Sequence, residues 1–411
     1  MSLARPVCTG VSQNGTIAPA TTHGALQVNT DSVDYDVVVL GAGFAGLMCA
    51  RRLARFGYRV AVIDKAEQIL AGTSSRNEGW LHAGTYHATS IADAEQARTV
   101  AGRCIYGWTQ IQREFPECVE REQHPAYAVV LDEDLDRTLG RWGDACVVHR
   151  PAQASELSLL AETVAITPDE HVYAVADLGI NVRMLAARLV AETRMAGGDI
   201  LLGATVRPAG PHRLALHGAR LCHVGYRLLI CSTGYATTAV CADLGVPAPA
   251  IRLWRSHLVS APRLAPASVF AVAPGEAAMI NHQEWSVAGL NEDAAIVTEP
   301  SFDPVPEVVD RLKAALRRRF PHVDPGETKA TACVKVDVID APGAARSLNV
   351  QISQPAEHVL SVLPGKMTET PYTADTVASL AFEILDVPRV RHRPIDTRTL
   401  DRMKEMTDEL V

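Results

Sequence analysis

A glycine-rich turn between an apolar strand and an amphipathic helix constrains the fold of this chain more than any other feature. Residues 36–40 form a short apolar run, residues 41–46 have the pattern Gly-x-Gly-x-x-Gly, and residues 47–56 repeat apolar side chains with helical spacing. A second apolar run at 59–63 predicts a strand parallel to the first, joined to it by a right-handed crossover. Asp64 follows that strand. The order of these pieces predicts a βαβ unit that binds a dinucleotide.

Each glycine of such a unit has a physical role in dinucleotide binding, and the alternative is a merely structural glycine-rich turn. Gly41 permits the tight turn, Gly43 lets backbone N–H groups approach a pyrophosphate, and Gly46 lets the helix pack closely on the strand. The helix N-terminus supplies partial positive charge. Asp64 is expected to accept hydrogen bonds from ribose hydroxyls.

The rest of the chain predicts an α/β fold, α+β overall, with two kinds of sheet. Apolar runs at 199–202, 227–231 and 357–363 are typical of a buried, Rossmann-like sheet, whereas residues 251–300 alternate short strands and turns, which favours an antiparallel sheet. We expect a discontinuous cofactor domain and a smaller, mostly antiparallel β-sheet substrate domain. The expected bounds are a flexible N-terminal arm at 1–33, the cofactor domain at 34–90, 150–250 and 325–411, and the substrate domain at 91–149 and 251–324.

Charge and composition exclude several classes of function. The chain of 411 residues has 39 basic and 47 acidic side chains, a formal charge of −8, so we expect no nucleic-acid partner. No apolar run reaches the roughly 18 residues of a membrane span, and the first 30 residues lack the apolar core of a secretory signal, so a cytoplasmic location is expected. Nine scattered cysteines show no metal-ligand spacing, and no metal is expected. Arg317–Arg319 are expected in solvent at a helix end.

Three separated segments resemble one family of flavoenzymes. Residues 41–64 look like the opening of the FAD-dependent oxidoreductases of the D-amino-acid oxidase superfamily. Thr73–Gly84 is similar to the flavin-contacting segment of the glycerol-3-phosphate dehydrogenase and L-2-hydroxyglutarate oxidase branches, and Pro364–Thr368 resembles a Gly-Gly-Lys-x-Thr segment of the same branches. The resemblance implies that FAD is the cofactor and that the first domain binds it.

Small side chains in the second segment suit close contact with a flavin ring, because they let the backbone approach and donate hydrogen bonds; a plain serine-rich loop is the alternative. Lys366 and the helix start that follows it are expected to favour negative charge on the reduced ring. The alternative is that Lys366 is an ordinary solvated lysine. The residues expected to contact FAD are Gly41, Gly43, Phe44, Ala45, Gly46, Asp64, Lys65, Thr73, Ser74, Ser75, Arg76, Asn77, Gly79, Leu81, Val206, Thr233, Gly234, Gly365, Lys366, Met367 and Thr368.

Three side chains are candidates for the catalytic site. His82 is expected over the flavin, either as a base or bonded covalently to the methyl carbon of the ring, and the alternative is a core histidine. Arg346 lies where the family has a substrate-binding Gly-x-Arg-Pro segment, although Ser347 replaces the proline; its guanidinium suits a carboxylate or phosphate, and a surface salt bridge is the alternative. His257, on an alternating strand near Trp254, is the third candidate, and His282 is a further one for the pocket wall.

These expectations combine into one predicted activity. The protein is expected to transfer a hydride from a CH–OH carbon of a small acidic substrate, such as a 2-hydroxy acid or a phosphorylated or sugar-like alcohol, to flavin N5. Its partners would be that substrate and an electron acceptor, which is oxygen, a quinone or a protein. Oxidation or demethylation of an amine or amino acid is one alternative, and a flavin-binding protein without turnover is the other.

Overall fold

The structure is a computed structural model that describes residues 32–218, 223–291, 294–322, 328–339, 346 and 348–385. The first 31 residues of the expected arm and the last 26 of the chain, 386–411, lie outside the described residues. The first strand begins at Ser32, inside the bounds expected for the arm.

The strands, in chain order, are β1 (Ser32–Leu40), β2 (Val60–Ile63), β3 (Trp80–Leu81), β4 (Val119–Glu120), β5 (Ala126–Leu131), β6 (His149–Pro151), β7 (Glu170–Val175), β8 (Leu178–Ile180), β9 (Asp199–Leu201), β10 (Thr205–Pro208), β11 (Arg213–His217), β12 (His223–Cys231), β13 (Ile251–Pro262), β14 (Val269–Ala271), β15 (Ala277–His282), β16 (Trp285–Leu290), β17 (Ala295–Val297), β18 (Lys329–Val338), β19 (Gln351–Ala356) and β20 (Val359–Leu363). The α-helices are α1 (Phe44–Arg55), α2 (Thr85–Ser90), α3 (Ala94–Glu114), α4 (Leu135–Asp144), α5 (Ala154–Ala161), α6 (Val182–Met195), α7 (Thr237–Asp243), α8 (Pro306–Arg319) and α9 (Thr370–Ile384).

The first sheet contains the predicted βαβ unit. Strand β1 pairs in parallel with β2 on one side and with β12 on the other, and β12 pairs in parallel with β20. Helix α1 connects β1 to β2 and ends where Gly57 takes a left-handed φ of +95°, which a glycine adopts without a steric penalty. Arg52 and Arg55 lie in its last turn, where positive charge interacts favourably with the helix dipole.

A large apolar core lies between this sheet and three helices. Helix α1 packs against both α6 and α9, and fully buried side chains of all three join those of β1, β2, β12 and β20. Such side chains include Leu47, Leu189 and Val377. The core fixes the parallel strands in register, so that the turns at their carboxyl ends are held close together.

The second sheet has nine strands in the order β17-β13-β16-β15-β14-β5-β7-β6, with β18 also paired to β13. Its pairings are antiparallel except for β14 with β5, which agrees with a mostly antiparallel sheet. The α/β class with these two kinds of sheet is confirmed.

The expected domain bounds differ from the observed sheet membership. Strands β7 and β18 belong to the second sheet, although residues 150–250 and 325–411 were assigned to the cofactor domain. Helix α3 packs against α9 and contributes Ile111 to the first core, although 91–149 was assigned to the substrate domain. Long-range pairing decides membership here, and the local apolar pattern of a strand carries no information about which sheet it joins.

The expectation that Arg319 lies in solvent is wrong. The residue is 7% exposed, and its guanidinium donates to Glu170 at 2.8 Å and approaches Glu276 at 3.3 Å. Helix α8 packs its last turn onto the second sheet, where two carboxylates compensate the buried charge. Among the described helices, none is long and apolar enough to cross a membrane.

Candidate active site

The carboxyl ends of four neighbouring parallel strands meet at one edge of the first sheet. The glycine-rich turn follows β1, Asp64 follows β2, Ser232–Gly234 follows β12, and Pro364–Gly365 follows β20. Ligands of open α/β sheets bind at this edge, in the crevice beyond the strand ends. The parallel pairing therefore brings together three segments that are more than a hundred residues apart in sequence.

The glycine turn has the close contacts that its sequence predicts. Gly41 has φ +106°, and a Cβ there would lie 2.3 Å from the Ser232 carbonyl oxygen. A Cβ on Gly46 would lie 2.0 Å from the Gly41 carbonyl oxygen, so the helix and the turn touch through backbone atoms. A Cβ on Gly43 would meet only the Ser74 hydroxyl, at 3.0 Å, and would otherwise face the cleft.

The Asp64 carboxylate supports the turn as well as lying at the cleft. Its Oδ2 accepts from the Ala42 amide at 2.7 Å, and its Oδ1 accepts from the Ala66 amide at 2.8 Å. A carboxylate has about four lone-pair sites, so it still has acceptor capacity for ribose hydroxyls.

A cavity of about 480 Å³ runs along this edge. Most residues expected to contact FAD line it: Gly41, Gly43, Phe44, Ala45, Asp64, Lys65, Thr73, Ser74, Asn77, Val206, Thr233, Gly234, Gly365, Lys366, Met367 and Thr368. The residues that line the cavity include Asp64 and Lys65 after β2, Gly43 in the glycine-rich turn and Lys366 after β20, so they fit a dinucleotide that crosses the ends of these strands.

Five expected contact residues do not line this cavity. They are Gly46, Ser75, Arg76, Gly79 and Leu81. Leu81 is fully buried in the first core, and the Arg76 guanidinium lies over the Phe302 ring, 4.4 Å from its centroid. At Gly79, with φ +81°, a Cβ would lie 2.5 Å from His282. Gly46 lies in the first turn of α1, Ser75 lies in the short 3-10 helix Thr73–Ser75, and only Leu81 lies in a strand.

Hydrogen bonds tie together the three segments that resemble the flavoenzyme family. The first is residues 41–64, the second Thr73–Gly84 and the third Pro364–Thr368. The Phe44 amide donates to the Ser74 hydroxyl at 3.2 Å, which docks the second segment on the N-terminus of α1. The His82 amide donates to the Thr368 hydroxyl at 3.2 Å, which docks the second segment on the third. Gly107 in α3 packs against the third segment beside this hydrogen bond, since a Cβ there would lie 1.7 Å from the Thr368 carbonyl oxygen.

A second cavity, of about 780 Å³, opens from the first toward the nine-stranded sheet. Its walls include Tyr86, Trp254, Ser256 and Phe270. The residues that line both cavities are Glu78, Trp80, His82, Lys335, Arg346 and Lys366. These six side chains form the junction between the two cavities.

The junction carries more positive than negative charge. The Lys335 ammonium lies 3.7 Å from a Glu78 carboxylate oxygen. Burial by itself would raise the pKa of Glu78, but Lys335, a backbone hydrogen bond and Lys366 lower this pKa to about 2, so its carboxylate is ionised. Arg346 and Lys366 are the remaining cations, and the Nε of Arg346 has no hydrogen-bond partner among the described residues.

Sequence reasoning missed Glu78 and Lys335. Lys335 is one polar residue in an alternating strand, a pattern that is usually a solvated face. Glu78 lies inside the Thr73–Gly84 segment, between Asn77 and Gly79, which are both expected to contact FAD. The spacing of 257 positions between the two gives no signal that they pair.

Among the other candidates, the structure brings Trp254 to the second cavity but not His257 or His282. His257 Nε2 instead accepts from the Val305 amide at 3.0 Å, on the opposite face of β13 from Trp254 and Ser256. The two-residue alternation of a strand enforces this division. His282 bridges the Glu120 carboxylate and the Glu78 carbonyl oxygen, 2.7 Å away, behind the second segment.

Comparison with known sequences gives one broad match and short ones. The sequence profile described as FAD dependent oxidoreductase matches residues 36–345. The mitochondrial L-2-hydroxyglutarate dehydrogenase of Arabidopsis thaliana is 39% identical over 85 residues, which cover 21% of this chain and 17% of that protein. The match therefore spans only a small part of that relative.

Comparison with solved structures gives likeness over most of the chain. Glycine oxidase from Geobacillus kaustophilus superposes with a TM-score of 0.68 at 16% identity, covering 88% of this chain and all (100%) of that one. The reduced L-α-glycerophosphate oxidase from Mycoplasma pneumoniae, with FAD bound, gives a TM-score of 0.68 at 13% identity, covering 85% and 94%. At these identities the likeness concerns the fold.

Proposed function

The chain belongs to the family of FAD-dependent oxidoreductases, and from this premise we propose that it oxidises the CH–OH carbon of a small acidic substrate. FAD is its cofactor, and the protein is an enzyme of that class. The observation that carries the proposal is the cationic junction between the two cavities, where the cofactor cleft meets a separate chamber.

The first cavity is the place for FAD. The turn at Gly43 and the start of α1 would receive the pyrophosphate, Asp64 the ribose, and Ser74, Asn77 and Lys366 the ring end. When bound, FAD would supply the two-electron acceptor for the hydride that leaves the substrate carbon, while the hydroxyl proton goes to a base of the protein.

The second cavity is the place for the substrate. Arg346, Lys335 and Lys366 place three cationic groups at the junction, where Glu78 is the one carboxylate among the six shared residues. The carboxylates of Asp93 and Asp177 line the second cavity outside the junction. A guanidinium binds a carboxylate or phosphate through two parallel hydrogen bonds, which orients the substrate as well as attracting it. The partial sequence similarity to L-2-hydroxyglutarate dehydrogenase supports a 2-hydroxy acid.

His82 is the base in this proposal. It lines both cavities, and its side chain is 19% exposed. Burial lowers the pKa of His82 below its ordinary value, so the ring is neutral at neutral pH and has a nitrogen able to accept the substrate proton.

Oxidation of an amine or amino acid is the second candidate, and one observation favours it. The ionised Glu78 carboxylate lies at the junction and suits an ammonium group of a substrate. Its pairing with Lys335 at 3.7 Å argues for the first proposal, because that ammonium already compensates the carboxylate.

An anaerobic titration of the yellow protein separates the two candidates. We expect L-2-hydroxyglutarate or glycerol 3-phosphate to bleach the flavin, and L-glutamate, which differs from the hydroxy acid only in its amino group, to leave it oxidised. Bleaching by L-glutamate or glycine alone would replace the proposal by amine oxidation. A flavin that no small hydroxy acid or phosphorylated alcohol bleaches would overturn it.

Substrate binding is expected to weaken as the pH rises through 7. Burial, and then the charges of Arg346 and Lys335, lower the pKa of Lys366 to about 7. Lys366 is therefore cationic below that pH and neutral above it, so an anionic substrate loses one attraction on the alkaline side. The other titratable groups acting on Lys366 are Glu78 and Cys104.

The measurement is the substrate concentration for half-bleaching between pH 6 and pH 9, with an expected increase of about tenfold for one lost charge contact worth roughly 1.4 kcal/mol. Lys366→Met should raise this concentration at low pH and flatten the profile. Lys329→Met, on the same strand as Lys335 but outside both cavities, should leave the profile unchanged. A flat profile in the parent protein would contradict the role of Lys366.

A further inference from the structure

Asp177 is a buried carboxylate beside the junction. It lies between β7 and β8, is 1% exposed, and borders the second cavity. Its Oδ1 accepts from the Ala83 amide at 3.1 Å, and its Oδ2 accepts from the Thr85 hydroxyl. The same Oδ1 lies 3.6 Å from Nδ1 of His82. Burying a carboxylate costs free energy unless it is paired or hydrogen-bonded, so the groups that Asp177 contacts indicate its role.

The His82 ring is held on several sides. Its backbone amide is bonded to Thr368, its ring is roughly parallel to that of Trp80 at 6.3 Å, and the His87 ring meets it edge-on at 4.5 Å. His87 is fully buried, and neither of its ring nitrogens has a hydrogen-bond partner among the described residues. With Nδ1 turned toward Asp177, Nε2 lies on the other side of the ring.

We propose that Asp177 is a positioning residue that holds His82 in the tautomer with the proton on Nδ1, leaving Nε2 to accept the proton of the substrate hydroxyl. The inference rests on the proposed function, which makes His82 the base. As the substrate O–H and C–H bonds break and C=O forms, the proton goes to Nε2 and the hydride to the FAD of the enzyme. The imidazolium formed then faces the Asp177 carboxylate, and the 3.6 Å separation needs to shorten only slightly to become a hydrogen bond.

The charges around His82 support this arrangement. Burial lowers the pKa of His82, and Lys366 lowers it further, whereas Asp177 and Glu78 raise it. His87 faces the same ring, and burial lowers its own pKa well below the ordinary value, so His87 is neutral and does not compete for the proton. Asp177 is thus the acceptor aimed at Nδ1.

The test is the protonation of His82 in FAD-loaded protein labelled with ¹⁵N-histidine, observed by NMR and assigned with His82→Gln. We expect the parent to carry the proton on Nδ1. In Asp177→Asn, whose amide can donate to Nδ1, the proton should move to Nε2, and the acid dissociation constant of His82 should increase by at least about tenfold, one unit of pKa. The acid limb of flavin reduction by substrate should shift to lower pH with it.

A matched control and a second variant keep the inference falsifiable. Asp132→Asn removes the partner of His171, an exposed pair at 2.6 Å outside both cavities, and should change only the His171 signal. Thr85→Val removes the hydroxyl that donates to Asp177 at nearly constant volume, so the carboxylate should attract the imidazolium more strongly and the pKa of His82 should rise.

Opposite shifts in the Asp177 and Thr85 variants are not expected of a purely structural residue. A parent His82 with its proton on Nε2, with one nitrogen bonded to the flavin, or with a signal unmoved by both substitutions would overturn the inference. None of these NMR results requires a substrate, so the inference fails or stands separately from the anaerobic titration that tests the proposed function.

Discussion

Gly43→Leu is expected to give colourless protein. The Gly43 Cβ position faces the cofactor cleft and meets only the Ser74 hydroxyl, at 3.0 Å, so a leucine side chain there extends into the space expected for the pyrophosphate. The backbone at Gly43 has φ −81°, which any residue adopts, so the substitution adds no backbone strain. The expected loss of FAD is therefore complete while the fold persists. The ratio of visible flavin absorbance to protein absorbance measures the loss, and circular dichroism checks the fold.

Gly140→Leu is the matched control for this experiment. Gly140 lies on the exposed face of α4, and a Cβ there meets nothing within 4 Å. Leucine is also a better helix former than glycine by up to about 1 kcal/mol, so this variant should keep both its flavin and its stability. Full flavin retention in Gly43→Leu would contradict the placement of the pyrophosphate at this turn.

Arg346→Met is expected to leave FAD bound and to raise the substrate concentration needed for bleaching by at least about tenfold. The guanidinium lines both cavities, and its buried Nε has no hydrogen-bond partner among the described residues. This N–H is therefore available to donate to an anionic substrate. Removing one desolvated, charge-assisted contact costs roughly 2 to 5 kcal/mol, and about 1.4 kcal/mol already corresponds to a factor of ten. Anaerobic titration of the flavin absorbance gives the value directly.

Arg227→Met is the control, because it removes one positive charge from the protein at a position that does not contact the substrate. Arg227 is half exposed on β12 and pairs with Asp36 at 3.2 Å, away from both cavities. Exposed pairs of this kind contribute about 0 to 1 kcal/mol to stability, so its titration curve should match that of the parent. Identical curves for Arg346→Met and the parent would remove Arg346 from the site. Two other arginines, Arg76 and Arg255, line neither cavity.

The cofactor half of the site is specified by residues that are close together in the sequence. The glycine turn, the strand before it and the helix after it lie within the 29 consecutive positions 36–64, and each is specified by backbone sterics and by the spacing of apolar residues. Reasoning from the sequence therefore gave the βαβ unit, and the family resemblance supplied the flavin segments. Sixteen of the residues expected to contact FAD line one cavity in the structure.

The substrate half was predicted less well, for a physical reason that Lys335 and His257 illustrate. Both lie on strands where alternation divides the side chains between two faces, but alternation does not state which face borders a cavity. The pairing of β18 with β13 turns Lys335 toward Glu78, whereas His257 faces the start of α8. Asp177 has no sequence signal at all, because its partner His82 lies 95 positions earlier.

The sequence by itself determined the strand–turn–helix that receives the dinucleotide and the apolar runs that build the two sheets, because these depend on conformational preferences of neighbouring residues. Only the tertiary structure decided that Glu78, Trp80, His82, Lys335, Arg346 and Lys366 meet at one junction. These residues meet through the order of strands in the eight-stranded, the nine-stranded and the three-stranded (β3-β8-β4) sheets, which is fixed by packing across the whole core. The charge and shape of the substrate chamber are therefore properties of the assembled fold.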